Sequence, residues 1–256
     1  MTAYQFISVV EEPGTFSVVL NRPPLNVLNI PMMKEFNAAL SGAKTNTGAK
    51  VVIIRAEGKA FSAGVDIADH TADRVGAMMD EFGAIFRNIS GISVPTLAVV
   101  DGAALGGGCE IVLACDMIVA SERSKFGQPE IKVGVFPPVA AAIVPRLIGR
   151  NRALEFLMSG EPVGAAEAER MGMINRTFPV ESFAADVKEF VARLTARSRV
   201  ILEMTKRAVD TGIGVPCMEA IGRAERIYMD EMMKTEDASE GLRAFMEKRS
   251  PVWKNR

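Results

Sequence analysis

Gly102-Ala-Ala-Leu-Gly-Gly-Gly-Cys-Glu110 is the stretch on which the reading of this chain turns. Apolar residues lead into three consecutive glycines, which then open a predicted helix over 106–114. Glycines at a helix start allow close backbone approach, and the free N–H groups there, reinforced by the helix dipole, suit a developing oxyanion. No Gly-Lys-Ser/Thr follows, so the segment is not a phosphate loop. Tight helix packing also uses glycine, and that reading stands beside the first. Glu110 closes the segment, where a carboxylate is costly to bury. Twenty residues later Phe126-Gly-Gln-Pro-Glu130 ends a second glycine-marked apolar stretch in the same way. Two such carboxylates beside bare N–H groups point to general acid–base chemistry at an oxyanion site. The alternative is two solvated surface glutamates.

Outward from this centre the N-terminal part alternates between strand and helix. Residues 6–10 and 16–20 read as a β-hairpin around Pro13-Gly14. Short buried strands are predicted at 51–55, 96–100 and 117–120, with helices at 31–40 and 72–89; the second carries Val75, Met78, Met79, Phe82, Ile85 and Phe86 on one side. Such alternation favours stacked βαβ units. Beyond Pro137-Pro138 the pattern turns helical: 140–148, 152–159, 165–171, 182–196, 200–211, 215–233 and 239–248, with only 173–178 extended. The expected organisation is an α/β catalytic core over 1–195 and a helical region over 196–256. Ile227, Tyr228, Met232, Met233 and Phe245 in the last helices pack either on a neighbouring subunit or on the same chain.

Composition bounds the function. The 256 residues are 48% hydrophobic and 24% charged, as expected of a protein that buries a substantial core. Thirty Lys and Arg nearly balance 31 Asp and Glu, which argues against nucleic acid or an anionic membrane as partner and leaves room for a small anionic ligand. Cys109, Cys115 and Cys217 lack metal-ligand spacing and read as packing thiols, so no metal is expected. The N-terminus lacks a secretion-signal pattern, and the longest apolar stretch, 103–120, holds Glu110 and Asp116 and is too short to span a bilayer. A cytoplasmic protein is expected. A second glycine turn, Lys59-Ala-Phe-Ser-Ala-Gly64-Val-Asp66, follows the 51–55 strand, where α/β proteins place ligands; a plain loop capped by Asp66 accounts for it equally.

Taken in order, Leu20-Asn-Arg-Pro23 with Asn26-Val-Leu28, Ala60-Phe-Ser-Ala-Gly-Val-Asp66, Gly102-Ala-Ala-Leu-Gly-Gly-Gly-Cys-Glu110 and Phe126-Gly-Gln-Pro-Glu130 resemble the enoyl-CoA hydratase/isomerase (crotonase) family, over essentially the whole chain. The resemblance implies a crotonase-like spiral of βαβ units, followed by helices that assemble homotrimers, often paired into hexamers. It implies an oxyanion hole from the backbone N–H groups of Val65 and Gly107. It also implies Glu110 as water-activating base and Glu130 as proton donor, although adjacent carboxyls titrate as a pair. Leu25, Asn26, Val27, Gly64, Asp66, Ile67, Ala68 and Gly106 would line the groove for the acyl-CoA, and Lys59 would approach the coenzyme A phosphates; Ala68 replaces a second common lysine. Coenzyme A arrives as part of the substrate, and no other cofactor is implied. Keeping both glutamates favours hydration over a double-bond shift, and a non-catalytic acyl-CoA-binding assembly protein is the remaining alternative.

The chain departs from the family pattern after Glu130, where the text is Pro129-Glu-Ile-Lys-Val-Gly-Val-Phe-Pro-Pro-Val-Ala-Ala141. Phe136 either narrows the acyl pocket or simply precedes a helix whose first turn holds Pro138. This variant is similar to the cyclohexa-1,5-diene-1-carbonyl-CoA hydratase subgroup, as are Asp69-His70 and the segments 228–233, 240–250 and 253–256. The implied substrate is then a cyclic dienoyl thioester. His70, the sole histidine, either lines the pocket or caps the surface. Lys248, Arg249 and Lys254 meet coenzyme A phosphates or remain solvated charges.

Overall fold

The computed structural model describes residues 4–256; residues 1–3, where the expected 1–195 core begins, lie outside the described residues. A hairpin of β1 (Ile7–Glu12) and β2 (Thr15–Leu20) opens the chain. Gly14 makes its tight turn at φ +82°, in the left-handed region that a side chain disfavours. Helix α1 (Ile30–Thr45) follows, capped by the Asn29 side chain on Met32 N–H, with Pro31 in its first turn.

One motif then recurs three times: a long strand, a short strand and a helix. The turns are β3 (Val51–Ala56), β4 (Ala60–Ser62) and α2 (Val75–Ser90); β5 (Thr96–Val100), β6 (Ala103–Leu105) and α3 (Gly107–Leu113); and β7 (Met117–Ser121), β8 (Lys125–Gly127) and α4 (Pro138–Ile148). After α5 (Arg150–Ser159), β9 (Val163–Gly164), α6 (Ala165–Met171) and β10 (Arg176–Phe178), the chain ends in α7 (Phe183–Thr195), α8 (Arg199–Gly212), α9 (Cys217–Asp230) and α10 (Glu236–Met246).

The long strands form one six-stranded sheet, ordered β1-β2-β3-β5-β7-β10, parallel except for the hairpin; the short ones form a second sheet, ordered β4-β6-β8-β9. The result is the α/β spiral expected from the sequence. Alternation along β3 divides the packing. Val52 and Ile54 face the main core with Phe36 and Phe61, whereas Val51 and Ile53 join Leu97 and Val119 under Val187, Phe190 and Leu194 of α7. With both faces covered, the central strands read as continuous apolar runs.

Several element boundaries move for local reasons. The predicted 72–89 helix begins only at Val75, because residues 67–70 form a separate 3-10 turn. Asp66 caps that turn on Ala68 N–H (3.1 Å), and buried Asp69 ties it to Ile30 N–H (2.9 Å) and Arg74. The predicted 215–233 helix starts at Cys217, because Pro216 has no N–H to donate and stands as the cap, and ends at Asp230 before a 3-10 turn over 232–234. Helix α10 begins three residues earlier than predicted, capped by Thr235 on Ala238 N–H, with Glu236 and Asp237 in its first turn.

Helices α8 to α10 leave Val209, Met218, Tyr228, Met229 and Phe245 exposed on this chain, Phe245 at 85%, as is Ile213 just after α8. Among the described residues no helix is long and apolar enough to cross a membrane. All three cysteines are free, Cys109 and Cys115 buried and Cys217 exposed.

Asn26 knots the loop before α1. Fully buried at φ +50°, it accepts from Arg22 N–H (2.7 Å) and donates to the Glu57 and Ala60 carbonyls (2.8 and 2.9 Å). Replacement by alanine strands one donor and two acceptors in the interior. Asn26→Ala is expected to lose about 2–4 kcal/mol, read as a lower denaturant midpoint at unchanged slope.

Candidate active site

Strand register in the small sheet builds the site. Parallel pairing of β4 with β6 sets Ala60 against Ala103, and pairing of β6 with β8 sets Leu105 against Gly127. The three glycine-marked motifs therefore leave the carboxyl ends of three adjacent parallel strands side by side, the usual place for a ligand in an α/β protein. Gly106 N–H locks the last two together through the Gly127 carbonyl (2.9 Å).

The glycines are needed for approach. Gly64 (φ +103°) lies so close to the next motif that a Cβ there would stand 3.1 Å from the Leu105 carbonyl oxygen. A Cβ on Gly106 would meet Glu130 Oε1 at 2.7 Å, and one on Gly107 would meet Val65 Cγ2 at 2.7 Å and the Phe82 ring at 3.0 Å. Two N–H groups in this corner have no acceptor among the described residues. Around Val65, Gly64 N–H donates to Ser62 Oγ (3.1 Å) and Asp66 N–H to the Leu28 carbonyl (2.9 Å), leaving the Val65 N–H free. Gly107 is the first residue of α3, so its N–H has no partner within the helix.

Glu110 sits in the first turn of α3, 2% exposed. Its Oε1 accepts from Val139 N–H (2.9 Å) and Ala140 N–H (2.8 Å), the first donors that α4 offers after Pro138. Burial pushes its carboxyl up to about 7, against the pull of the Ala140 N–H; the neighbouring Glu130 carboxylate adds to the rise, and the Val139 N–H opposes it. Glu130, half-buried on a 3-10 turn over Pro129–Val133, is also raised by burial, with its own backbone N–H and the His70 charge opposing. With the Gln128 amide assigned so that its nitrogen faces the carboxylate, it donates to both Glu130 oxygens at 3.2 Å.

Both glutamates open onto a cavity of about 580 Å³. Val75, Met78, Met79 and Phe82 of α2 form its apolar wall, and Val133 and Val135 stand on the opposite side. Of the residues singled out in the sequence, Gly64, Val65, Ile67, His70, Gly106, Gly107, Glu110, Glu130 and Phe136 line it. Phe136 satisfies both of its readings, since it is 68% exposed at the cavity mouth and also directly precedes the Pro137-Pro138 start of α4.

Leu25, Asn26, Val27, Lys59, Asp66 and Ala68 do not line the cavity. Leu25 and Lys59 are exposed, Lys59 with no ion pair among the described residues. The Asn26 side chain is turned into the protein, and Asp66 is occupied capping its turn and facing Arg22 at 3.9 Å. Arg249 and Lys254 are engaged within the chain, by Glu240 (2.6 Å) and Glu236 (2.9 Å). A somewhat larger hollow, about 630 Å³, opens around α10, but the carboxylates that line it, Glu236, Asp237 and Glu240, are engaged by Lys254, by the Lys254 and Asn255 N–H groups and by Arg249. Sequence reasoning missed Gln128, the Val139 and Ala140 donors, and the place of Phe82 over Gly107. Only the quoted Gln-Pro-Glu stretch hinted at the first.

Comparison with known proteins points to one family. Residues 11–256 match the family model for enoyl-CoA hydratase/isomerase. The chain is 35% identical over 259 residues to a probable enoyl-CoA hydratase of Mycobacterium tuberculosis, covering 99% of each. It is 34% identical over 240 residues to the cyclohexa-1,5-dienecarbonyl-CoA hydratase of Thauera aromatica, covering 93% of this chain and 92% of that protein. A crystal structure of an enoyl-CoA hydratase from Geobacillus kaustophilus superposes with a TM-score of 0.93 at 31% identity, covering 100% of this chain and 98% of the other.

Proposed function

The chain belongs to the enoyl-CoA hydratase/isomerase family, and on that premise we propose that it is a hydro-lyase that adds water to an α,β-unsaturated acyl-CoA. The observation that carries the reading is the meeting of two carboxyls and two unpaired N–H groups on one apolar cavity. In this reading the thioester carbonyl accepts from Val65 N–H and Gly107 N–H. Water addition places enolate charge on that oxygen, where fixed donors stabilise it without reorganisation. One carboxylate takes a proton from the attacking water and the other, as the acid, delivers one to carbon.

The two groups work as a pair sharing one proton. The resemblance assigns Glu110 as base and Glu130 as acid, and burial raises the proton affinity of both. Apparent values of the acid and base limbs therefore belong to the pair.

The finer proposal concerns the acyl group. The aromatic and methionine wall of α2 with Phe136 at the mouth suits a compact ring, and the Thauera relative is named for a cyclic dienoyl substrate. No metal or redox cofactor takes part in the proposed reaction. Residues 196–256 are proposed to build a homotrimer or homohexamer, supported by the exposed apolar side chains of α8 to α10, and the proposed setting is the cytoplasm.

Turnover of crotonyl-CoA and of a cyclic dienoyl-CoA in heavy-oxygen water tests the reading. The expected product carries one solvent oxygen, with faster turnover of the ring substrate. A double-bond shift without oxygen incorporation overturns hydration, and preference for crotonyl-CoA overturns only the ring.

A further inference from the structure

Two free N–H groups stabilise charge on one oxygen only if the gap between them is held fixed. On the Val65 side the backbone holds it. Leu28 pairs with Val65 in an isolated parallel bridge, with Leu28 N–H on the Gly64 carbonyl and Asp66 N–H on the Leu28 carbonyl, both at 2.9 Å. Gly107 is held differently. Its N–H and that of Val65 are both free, so neither peptide is bonded to the other, and Gly107 has no side chain of its own to pack. The place of that missing side chain is filled from outside. A Cβ built on Gly107 would stand 2.7 Å from Val65 Cγ2 and 3.0 Å from both Cε2 and Cζ of Phe82. The tip of the Phe82 ring and the side chain of the other donor residue therefore converge beside the Gly107 Cα.

The ring is itself braced. Phe82 is buried, and Phe86, one turn further along α2, meets it edge-to-face with centroids 4.9 Å apart and planes at 83°. Met79, on the same wall of the cavity, is exposed, and none of the three atoms nearest the Gly107 Cβ position belongs to it.

We propose that Phe82 is a positioning residue for the oxyanion donors, a role that rests on the hydratase reading above: its ring, braced by Phe86 and wedged with Val65 Cγ2 into the place of a Gly107 side chain, keeps Val65 N–H and Gly107 N–H at a fixed separation. Glycine at 107 is then required by packing, at a position with no positive φ. The two readings open to the glycine run, tight packing and an oxyanion site, become one device.

The carbonyl stretch of bound butyryl-CoA, carrying carbon-13 at the thioester carbonyl, reports that separation by infrared difference spectroscopy on the full-length protein. The probe has no double bond to hydrate, so turnover does not intervene. In the parent the stretch is expected at lower frequency than in water, because both donors polarise the carbonyl. Phe82→Leu is expected to lose most of that shift. Its kcat should fall about ten- to a hundredfold with KM changed much less, the scale of an ångström-level misplacement. Met79→Ala should show the opposite split, a raised KM with the stretch unmoved. No shift in the parent overturns the oxyanion reading itself. A parental shift that Phe82→Leu retains overturns only the role of Phe82. If Phe82→Leu does not fold, Phe86→Leu takes its place: the ring without its brace is expected to lose part of the shift, and an unmoved stretch overturns the proposal. Shared space gives a second check. Gly107→Ala combined with Phe82→Leu should lose less kcat than the product of the two single losses, because the new methyl takes up the vacated room. Losses that simply multiply overturn the assignment.

Discussion

Glu110→Gln and Glu130→Gln are each expected to reduce kcat by about a hundred- to ten-thousand-fold, the range for loss of a positioned acid or base. Neither substitution changes side-chain shape, so circular dichroism and oligomeric state should match the parent. The Glu110 variant also carries a stability signature that a purely kinetic role would not give. Its carboxyl is raised from 4.5 to about 7 in the folded protein. A group raised in this way favours the folded state fully below its unfolded value, and that contribution is lost as pH rises through the folded value. Between about pH 4.5 and 7 the native protein therefore loses up to about 3 kcal/mol through this one side chain, at 1.36 kcal/mol per unit. Glutamine never ionises and escapes the loss. Glu110→Gln should be more stable than the parent at pH 8 and equal to it near pH 4, by urea denaturation at both. A variant of unchanged kcat, or one destabilised at pH 8, would remove Glu110 from the role assigned to it.

The long strands were readable because β2 and β3 carry short apolar runs, Val18–Leu20 and Val51–Ile54, as burial on both faces favours. The strands of the second sheet were not. β4, β6 and β8 have three residues each and β9 two, too few for any period to appear. Yet their register is what brings the three motifs together. The motifs themselves were legible as text, since glycine runs and acids in apolar surroundings are unusual at single-residue resolution. What encloses them was not. Phe82 reads in sequence as one apolar residue in a helical stripe, and only the fold sets its ring against Gly107. The hold of α4 on Glu110 comes from backbone donors, which no side-chain pattern advertises. Asn26, in a stretch expected to line the acyl-CoA groove, serves as a knot for its loop because its short amide tolerates φ +50° and reaches three backbone groups.

Gly107→Ala is expected to reduce kcat by on the order of a hundredfold or more, the scale reported for loss of one oxyanion donor. Backbone strain is not the cause, because Gly107 is an ordinary helical residue with no positive φ. The added methyl would instead stand 2.7 Å from Val65 Cγ2, closer than real Cβ contacts come, and 3.0 Å from the Phe82 ring, tighter than most. Something must shift, and the nearest movable groups carry the other donor and the cavity wall. Overpacking of this kind costs about 1–3 kcal/mol in stability, which leaves the fold standing while the two N–H groups are forced apart. The clash also names its own remedy. In the double variant Gly107→Ala with Val65→Ala, the 2.7 Å contact disappears while both backbone donors remain, so part of the lost kcat should return; the Phe82 contact prevents full recovery. Gly164→Ala is the control, since a Cβ there meets nothing within 4 Å, and it should be kinetically silent. If the double variant were no faster than Gly107→Ala alone, the injury would lie elsewhere than in the spacing of Val65 N–H and Gly107 N–H. That spacing is the part of the site on which the enolate reading depends most.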